Sequence, residues 1–131
     1  MVVLDTTFII HFLKNKQNAI EKARTISEPS YTTRINVFET LVGIYLKKPQ
    51  EIDNALEIFN KFLDEVIILE LNEKSAKQAA KISAQLNKDG NTVQDKDILI
   101  AAIALVNGQG NIITDNVKDF SKIPGIIVEK Y

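Results

Sequence analysis

The stretch Met1-Val-Val-Leu-Asp5-Thr-Thr-Phe8 decides the fold of this chain. Its apolar run, Val2 to Leu4, predicts a short strand buried on both faces, as the strands of a parallel sheet are. The run stops at Asp5, and an amphipathic helix pattern begins at Phe8. Parallel sheets flanked by helices bind ligands beyond the carboxyl ends of their strands, so Asp5 lies where chemistry is expected. An unpaired buried charge is costly, and Asp5 therefore either caps the next helix or belongs to a charged site.

Composition limits the class of protein. The chain has 131 residues, 45% of them hydrophobic and 25% charged, which is typical of one soluble globular domain. No apolar run approaches the roughly 18 residues that a membrane span needs. The absence of cysteine fits a reducing compartment, so we expect a cytoplasmic protein without thiolate metal sites. A net charge of −1 argues against a broad basic surface for nucleic acid, and the single histidine, His11, excludes a multi-histidine zinc site.

Strands and helices alternate along the chain, without internal repeats or low-complexity segments. Short apolar or β-branched runs predict strands at residues 2–4, 30–33, 66–69, 111–114 and 126–128. Helical periodicity predicts helices over residues 8–13, 17–27, 35–46, 49–63, 73–87 and 97–105, with a helical turn at 115–120. The helix over 97–105 is apolar nearly all round, which predicts that it is buried. The pattern indicates a single domain over residues 1–131, a three-layer α/β/α sandwich with a mostly parallel central sheet.

Several acidic residues stand among otherwise apolar neighbours. Glu39 lies inside a predicted helix, with no lysine or arginine three or four residues away to pair with it. Asp97 opens the apolar helix, and Asp115 and Asn116 follow a strand end, as Asp5 does. Asp97 alone can be explained as a favourable charge at a helix N-terminus, and Asp115 as a helix cap. Glu39 has no such role, and the topology brings the whole set toward one edge of the sheet.

Carboxylates that share a cleft repel one another unless a cation binds between them. Oxygen ligands without histidine or cysteine favour Mg²⁺ or Mn²⁺ over zinc. Sites of this kind act on phosphate esters, because the metal activates water and stabilises the developing charge. The acidic residues therefore predict a metal-dependent hydrolase.

Four motifs occur in order along the chain: Val3-Leu-Asp5-Thr, Thr33-x5-Glu39-x-Leu-x-Gly43, Asp97-x-x-Ile-Ala-Ala-x-Ala104 and Thr114-x-Asn116-x-x-x-Phe120. With this order and these separations, the sequence resembles the PIN-domain ribonucleases, and specifically the VapC-type toxins of toxin–antitoxin pairs. Each motif is weak alone, whereas the set is specific and spans essentially the whole chain.

The resemblance implies a metal-dependent endoribonuclease. In such an enzyme Asp5 and Asp97 ligate Mg²⁺ or Mn²⁺, and Glu39 completes the acidic core. A hydroxyl from Thr6 or Thr7 is expected near the site.

The resemblance also implies that Thr114 helps to hold the geometry of the site. The fourth acidic position of the family falls on Asn116, so Asp115 beside it and Asp119 one turn later are the candidates to replace it. The partners implied are an RNA substrate, a VapB-like antitoxin that blocks the site, and a second copy in a homodimer.

Other interpretations stay open. The amide at Asn116 is compatible with a non-catalytic PIN-like module that binds RNA or a protein. A phosphoacceptor receiver domain is less well supported, because two threonines follow Asp5 and the third strand leads to Glu70 rather than an aspartate. Arg34, just after the second strand, is a candidate contact for substrate phosphate, although most arginines are simply exposed. Apolar residues of the first and fourth helices predict the dimer interface. They are Phe8, Ile9, Phe12, Leu13, Phe59, Phe62 and Leu63.

Overall fold

The structure is a computed structural model that describes residues 1–131. Its strands are β1 (Val2–Leu4), β2 (Ser30–Thr33), β3 (Ile67–Leu69), β4 (Asn111–Ile113) and β5 (Ile127–Glu129). Its helices are α1 (Thr6–Leu13), α2 (Gln17–Arg24), α3 (Arg34–Tyr45), α4 (Pro49–Leu63), α5 (Glu73–Lys88), α6 (Asp95–Val106) and α7 (Val117–Phe120). No helix has both the length and the apolar character that crossing a membrane requires.

The strands form one five-stranded sheet in the order β3-β2-β1-β4-β5, and every neighbouring pair is parallel. The predicted α/β/α sandwich is confirmed, and the sheet is wholly rather than mostly parallel. β1 lies at the centre, where Val3 pairs with Tyr31 of β2 on one side and with Ile112 of β4 on the other. The chain order reverses between β1 and β4, and a cleft beyond the carboxyl ends of strands at such a point is where α/β proteins bind ligands.

The two faces of the sheet bury different cores, because successive side chains of a strand point to opposite sides. Val3 and Ile112 face α5 and α6, whereas Val2, Leu4 and Ile113 face the helices of the other layer. Helix α6 is buried along most of its length, as its all-round apolar sequence predicts. It therefore forms a rigid support for the residues of its first turn.

The apolar patch that predicted a dimer interface is largely covered within the fold, with Phe12, Leu13, Phe62 and Leu63 only partly buried. Phe8, Ile9 and Phe59 are at most 1% exposed, and the rings of Phe12 and Phe62 lie 5.9 Å apart, packed against each other. The predicted interface was wrong for Phe8, Ile9 and Phe59, because these side chains belong to the core that α1 and α4 share. Several exposed apolar residues lie instead along α3 and just beyond its end, at Phe38, Val42, Tyr45 and Leu46. The other large apolar residues that are exposed are Met1, Ile58, Ile67, Leu71 and Ile127.

Candidate active site

Asp5 occupies the N-cap position of α1, yet its side chain makes no capping hydrogen bond. Its Oδ2 accepts a 2.6 Å hydrogen bond from the Thr114 hydroxyl, and its Oδ1 accepts one of 3.0 Å from Nδ2 of Asn36. The residue is 3% exposed. This burial raises the pKa of the Asp5 carboxyl, and the hydrogen bond from Thr114 opposes that rise. Asp5 therefore belongs to a polar site rather than to a helix cap.

The capping of α3 places a buried amide beside Asp5. Thr33 accepts from the backbone N–H of Asn36 in a capping box, and the Thr33 hydroxyl donates to Oδ1 of Asn36 at 2.7 Å. Nδ2 of Asn36 then donates to Asp5 and to the hydroxyl of Thr6, each at 3.0 Å. Asn36 has no exposed surface, and both ends of its amide are used. Sequence reasoning missed this residue, although a polar side chain three positions after a helix cap was a signal for it.

Glu39 lies one turn along α3 from Asn36. Its Oε1 accepts a 2.9 Å hydrogen bond from the Thr6 hydroxyl, and its Oε2 lies 3.1 Å from Nζ of Lys96. The absence of a local cation around Glu39 was correctly inferred, but α6 supplies one from a distant part of the chain. Lys96 was therefore missed, because no spacing rule within α3 points to it.

Asp97 is a buried carboxylate in the first turn of α6, at 9% exposure. Burial, followed by the negative charges of Asp5, Glu39 and Asp119, raises its pKa to about 7, and Lys96 only partly opposes this. Its Oδ2 accepts a 2.8 Å hydrogen bond from Nδ2 of Asn116. Asp5, Glu39 and Asp97, predicted from separate motifs, thus lie close enough to act on one another.

Asn116 brings a further acid into the site. Besides Asp97, its Nδ2 contacts Oδ2 of Asp119 at 3.3 Å, so Asp119 joins the acidic cluster from α7. Asp115 is exposed, and only its backbone N–H takes part, donating to the Thr7 hydroxyl at 3.0 Å. Of the candidates for the fourth acidic position, the structure brings Asn116 and Asp119 into the site and leaves the carboxylate of Asp115 outside it.

Hydroxyl groups connect the ends of β1 and β4. The Thr7 hydroxyl lies 3.4 Å from Oδ2 of Asp5 and 3.4 Å from the hydroxyl of Thr114. The Thr114 hydroxyl also accepts the backbone N–H of Asn116 at 2.9 Å. Both threonines after Asp5 are therefore used: Thr7 on the Asp5 side of the site and Thr6 on the Glu39 side.

A family model described as the PIN domain matches residues 2–126. The chain belongs to the PIN domain family. It is 27% identical over 130 residues to the tRNA(fMet)-specific endonuclease VapC of Salmonella typhimurium, covering 98% of this chain and 96% of that protein. The structure of DNA-bound VapBC from Salmonella typhimurium matches with a TM-score of 0.87 at 25% identity, covering 98% and 96% of the two chains. VapBC2 from Rickettsia felis, bound to a promoter DNA fragment, matches with a TM-score of 0.88 at 20% identity, covering 100% and 99%.

These matches confirm the family that the motifs indicated and the fold that it implied. Arg34 of this PIN domain makes no hydrogen bond to the acidic cluster. Its guanidinium group forms a bidentate ion pair with Glu70, at 2.9 and 2.6 Å. Both side chains of the pair are about half exposed. The contact of Arg34 with substrate phosphate stays a prediction.

The acidic cluster of the PIN domain has the ligand type and the charge that a hard cation needs, but its side chains do not converge on one point. No three acidic or histidine side chains converge closely enough to hold a metal ion. The donors are nevertheless oxygens without competing nitrogen or sulfur, and the charges of the neighbouring acids raise the pKa of Asp97. A divalent cation would relieve that repulsion. The residues therefore fit Mg²⁺ or Mn²⁺ by charge and ligand type, while hydrogen bonds and Lys96 hold them in another arrangement.

Proposed function

We propose that this PIN domain is a metal-dependent endoribonuclease that hydrolyses RNA phosphodiester bonds, and that it is the toxin of a toxin–antitoxin pair. The observation that carries the proposal is the convergence of Asp5 and Asp97 with further acids at the switch point of the sheet, with the pKa of Asp97 raised to about 7. The Salmonella relative, a tRNA-specific endonuclease, aligns over 98% of the chain. We also propose that the protein is cytoplasmic, where its RNA substrate would be found.

In this proposal Asp5 and Asp97 hold the metal ion, and Glu39 completes the acidic core. A bound Mg²⁺ or Mn²⁺ supplies an activated water and balances the charge that develops on the phosphate. Asp5 is kept in place by Thr114 and Asn36, whose hydrogen bonds of 2.6 and 3.0 Å restrict its carboxylate. Such restraint lowers the cost of organising the site when the substrate binds.

Asn116 orients Asp97 in the same way, through the 2.8 Å hydrogen bond from its amide. We assign the additional acidic function to Asp119, because its carboxylate contacts Asn116 whereas the carboxylate of Asp115 does not. Thr6 holds Glu39 at 2.9 Å, and Thr7 links Asp5 to Thr114. The chain's own residues thus hold and orient the carboxylates of Asp5, Glu39 and Asp97.

We infer that a VapB-like antitoxin blocks the site, since the matching solved structures are VapBC complexes bound to DNA. A homodimer, implied by the resemblance, stays a prediction, and Phe8, Ile9 and Phe59, which were first assigned to its interface, are buried in the core.

The test is incubation of the purified protein with a mixed RNA pool, with Mn²⁺ or with EDTA, followed by mapping of the new RNA ends. We expect cleavage at defined positions with Mn²⁺ and none with EDTA. Cleavage that is unchanged in EDTA would overturn the metal dependence. Failure of the folded, metal-loaded protein to cut any RNA would overturn the nuclease assignment.

A non-catalytic module that binds RNA or a protein is the second candidate. It is favoured by the amide at Asn116 and by the absence of a converged ligand set. This alternative predicts RNA binding that is the same in Mn²⁺ and in EDTA and that leaves the RNA intact. Measuring RNA binding and cleavage on the same samples separates the two functions.

A further inference from the structure

Lys96 provides the positive charge at the core of the acidic site. Of the three carboxylates assigned to that core, Asp5 and Asp97 accept hydrogen bonds from neutral side chains, and Glu39 alone has a cationic partner. The Nζ of Lys96 lies 3.1 Å from Oε2 of Glu39, with the Lys96 side chain 52% exposed and that of Glu39 17% exposed. A half-exposed ammonium group therefore pairs with a carboxylate that is mostly buried.

Both oxygens of Glu39 are engaged in this arrangement. The Thr6 hydroxyl donates to Oε1 at 2.9 Å, and the ammonium group of Lys96 contacts Oε2. Thr6 is fixed in turn by the buried amide of Asn36, whereas the long side chain of Lys96 can swing into solvent. The lysine end of this ion pair is half exposed and solvent weakens such pairs, so the Lys96 contact is the one that a competing cation displaces most easily.

We propose that Lys96 is a positioning residue that competes with the metal ion for Glu39. In the metal-free protein the ammonium group of Lys96 holds the Glu39 carboxylate. A divalent cation that used Glu39 as a ligand would have to displace the ammonium group of Lys96 from Oε2. The inference deepens the proposed function and rests on its metal dependence, but it concerns metal binding and needs no RNA for its test.

The experiment measures the Kd of Mn²⁺ by titration calorimetry, without RNA, for the wild type, Lys96→Gln and Lys96→Arg. We expect Lys96→Gln to bind Mn²⁺ roughly two- to five-fold more tightly, the size expected for a half-exposed ion pair. Lys96→Arg keeps the charge and is expected to stay close to the wild type. The control is Lys77→Gln, which breaks a Lys–Glu ion pair of 3.0 Å on α5 and is expected to leave the Kd unchanged.

A double variant tests whether Lys96 acts through Glu39. The Glu39→Gln variant has no carboxylate at this position for which Lys96 and Mn²⁺ could compete. Adding Lys96→Gln to it is therefore expected to tighten Mn²⁺ binding much less than the same change does in the wild type. The inference is overturned if Lys96→Gln binds Mn²⁺ equally or more weakly, if the gain persists undiminished in Glu39→Gln, or if none of the proteins binds Mn²⁺. Tighter binding by Lys96→Gln in a protein that cleaves no RNA would support the inference while the nuclease assignment failed.

Discussion

Nδ2 of Asn36 donates a 3.0 Å hydrogen bond to Oδ1 of Asp5, joining the start of α3 to the end of β1. The same amide uses its oxygen in the cap of α3, where it accepts from the Thr33 hydroxyl at 2.7 Å. One fully buried side chain thus connects the local folding of a helix to the orientation of a candidate catalytic acid. Removing it is expected to affect both stability and the site.

Replacement of Asn36 by alanine leaves Asp5 with one buried donor fewer and the Thr33 hydroxyl without its acceptor. An unsatisfied buried polar group costs about 1–3 kcal/mol of unfolding free energy. In a chain of this size that is on the order of 5–10 °C in Tm. Scanning calorimetry of Asn36→Ala and of Asn54→Ala, whose side chain is exposed on α4, provides the comparison. Equal Tm values for the two variants would contradict the role of Asn36.

Asp5→Asn and Asp97→Asn are expected to remove RNA cleavage without unfolding the protein. Each change keeps the size of the side chain and removes the charge that would hold a metal ion. Loss of a metal contribution worth several kcal/mol corresponds to a fall of more than about a hundredfold in rate. Asp95→Asn is the matched control, because Asp95 is exposed in the same first turn of α6. Full cleavage by a folded Asp97→Asn protein would refute the assignment.

The fourth acidic position is tested by comparing Asp119→Asn with Asp115→Asn. Asp119 contacts the same Asn116 amide that binds Asp97, and its charge raises the pKa of Asp97. Asp115 is exposed, and its side chain has no hydrogen bond to the cluster. Cleavage rates are therefore expected to fall in Asp119→Asn and to stay near the wild type in Asp115→Asn. A larger fall in cleavage rate for Asp115→Asn than for Asp119→Asn would instead assign the fourth acidic position to Asp115.

The order of the elements and the main acids were predictable, because each depends on local sequence. Asp5 follows an apolar run, and Asp97 opens an apolar helix, so the topology alone carries both to the same edge of the sheet. The start of α1 at Thr6 rather than Phe8 is a smaller difference of the kind expected at helix ends.

The cationic partner of Glu39 was not predictable, because it depends on a tertiary distance. Lys96 lies far from Glu39 in sequence and meets it only once α3 and α6 are packed. The sequence predicted that the apolar faces of α1 and α4 were exposed, because periodicity shows that a helix face is apolar but not which residues cover it. Phe12 and Phe62 cover each other, with ring centroids 5.9 Å apart.

The ionisation of Asp97 links the stability of the fold to pH and to metal binding. The pKa of Asp97 is raised from 3.8 to about 7 in the folded protein, so its ionisation destabilises the metal-free fold above pH 7. That cost fades as the pH falls through 7 toward 3.8, and acidification over this range is expected to raise the contribution of this site to stability. Burial raises the pKa of Asp5 as well, so ionisation of Asp5 also destabilises the metal-free fold.

Asp97→Asn removes this cost while keeping a side chain that can contact Asn116. Without metal at pH 7.5 the variant is expected to melt higher than the wild type, by an amount corresponding to roughly 1–3 kcal/mol. Because Mn²⁺ binds the folded state, a concentration about 100 times its Kd adds roughly 2.7 kcal/mol to the wild type, on the order of 10 °C in Tm. The variant is expected to lose most of that rise.

Melting curves of both proteins in EDTA and in Mn²⁺, at pH 5.5 and 7.5, test these expectations together. The advantage of Asp97→Asn in EDTA should shrink at the lower pH, because Asp97 is then largely protonated in the folded wild type. A carboxylate that merely favours the N-terminus of α6 predicts the opposite: the variant would be less stable at neutral pH, and neither protein would respond to the metal. A wild-type Tm that does not move in saturating Mn²⁺ would count directly against a metal site at Asp5 and Asp97.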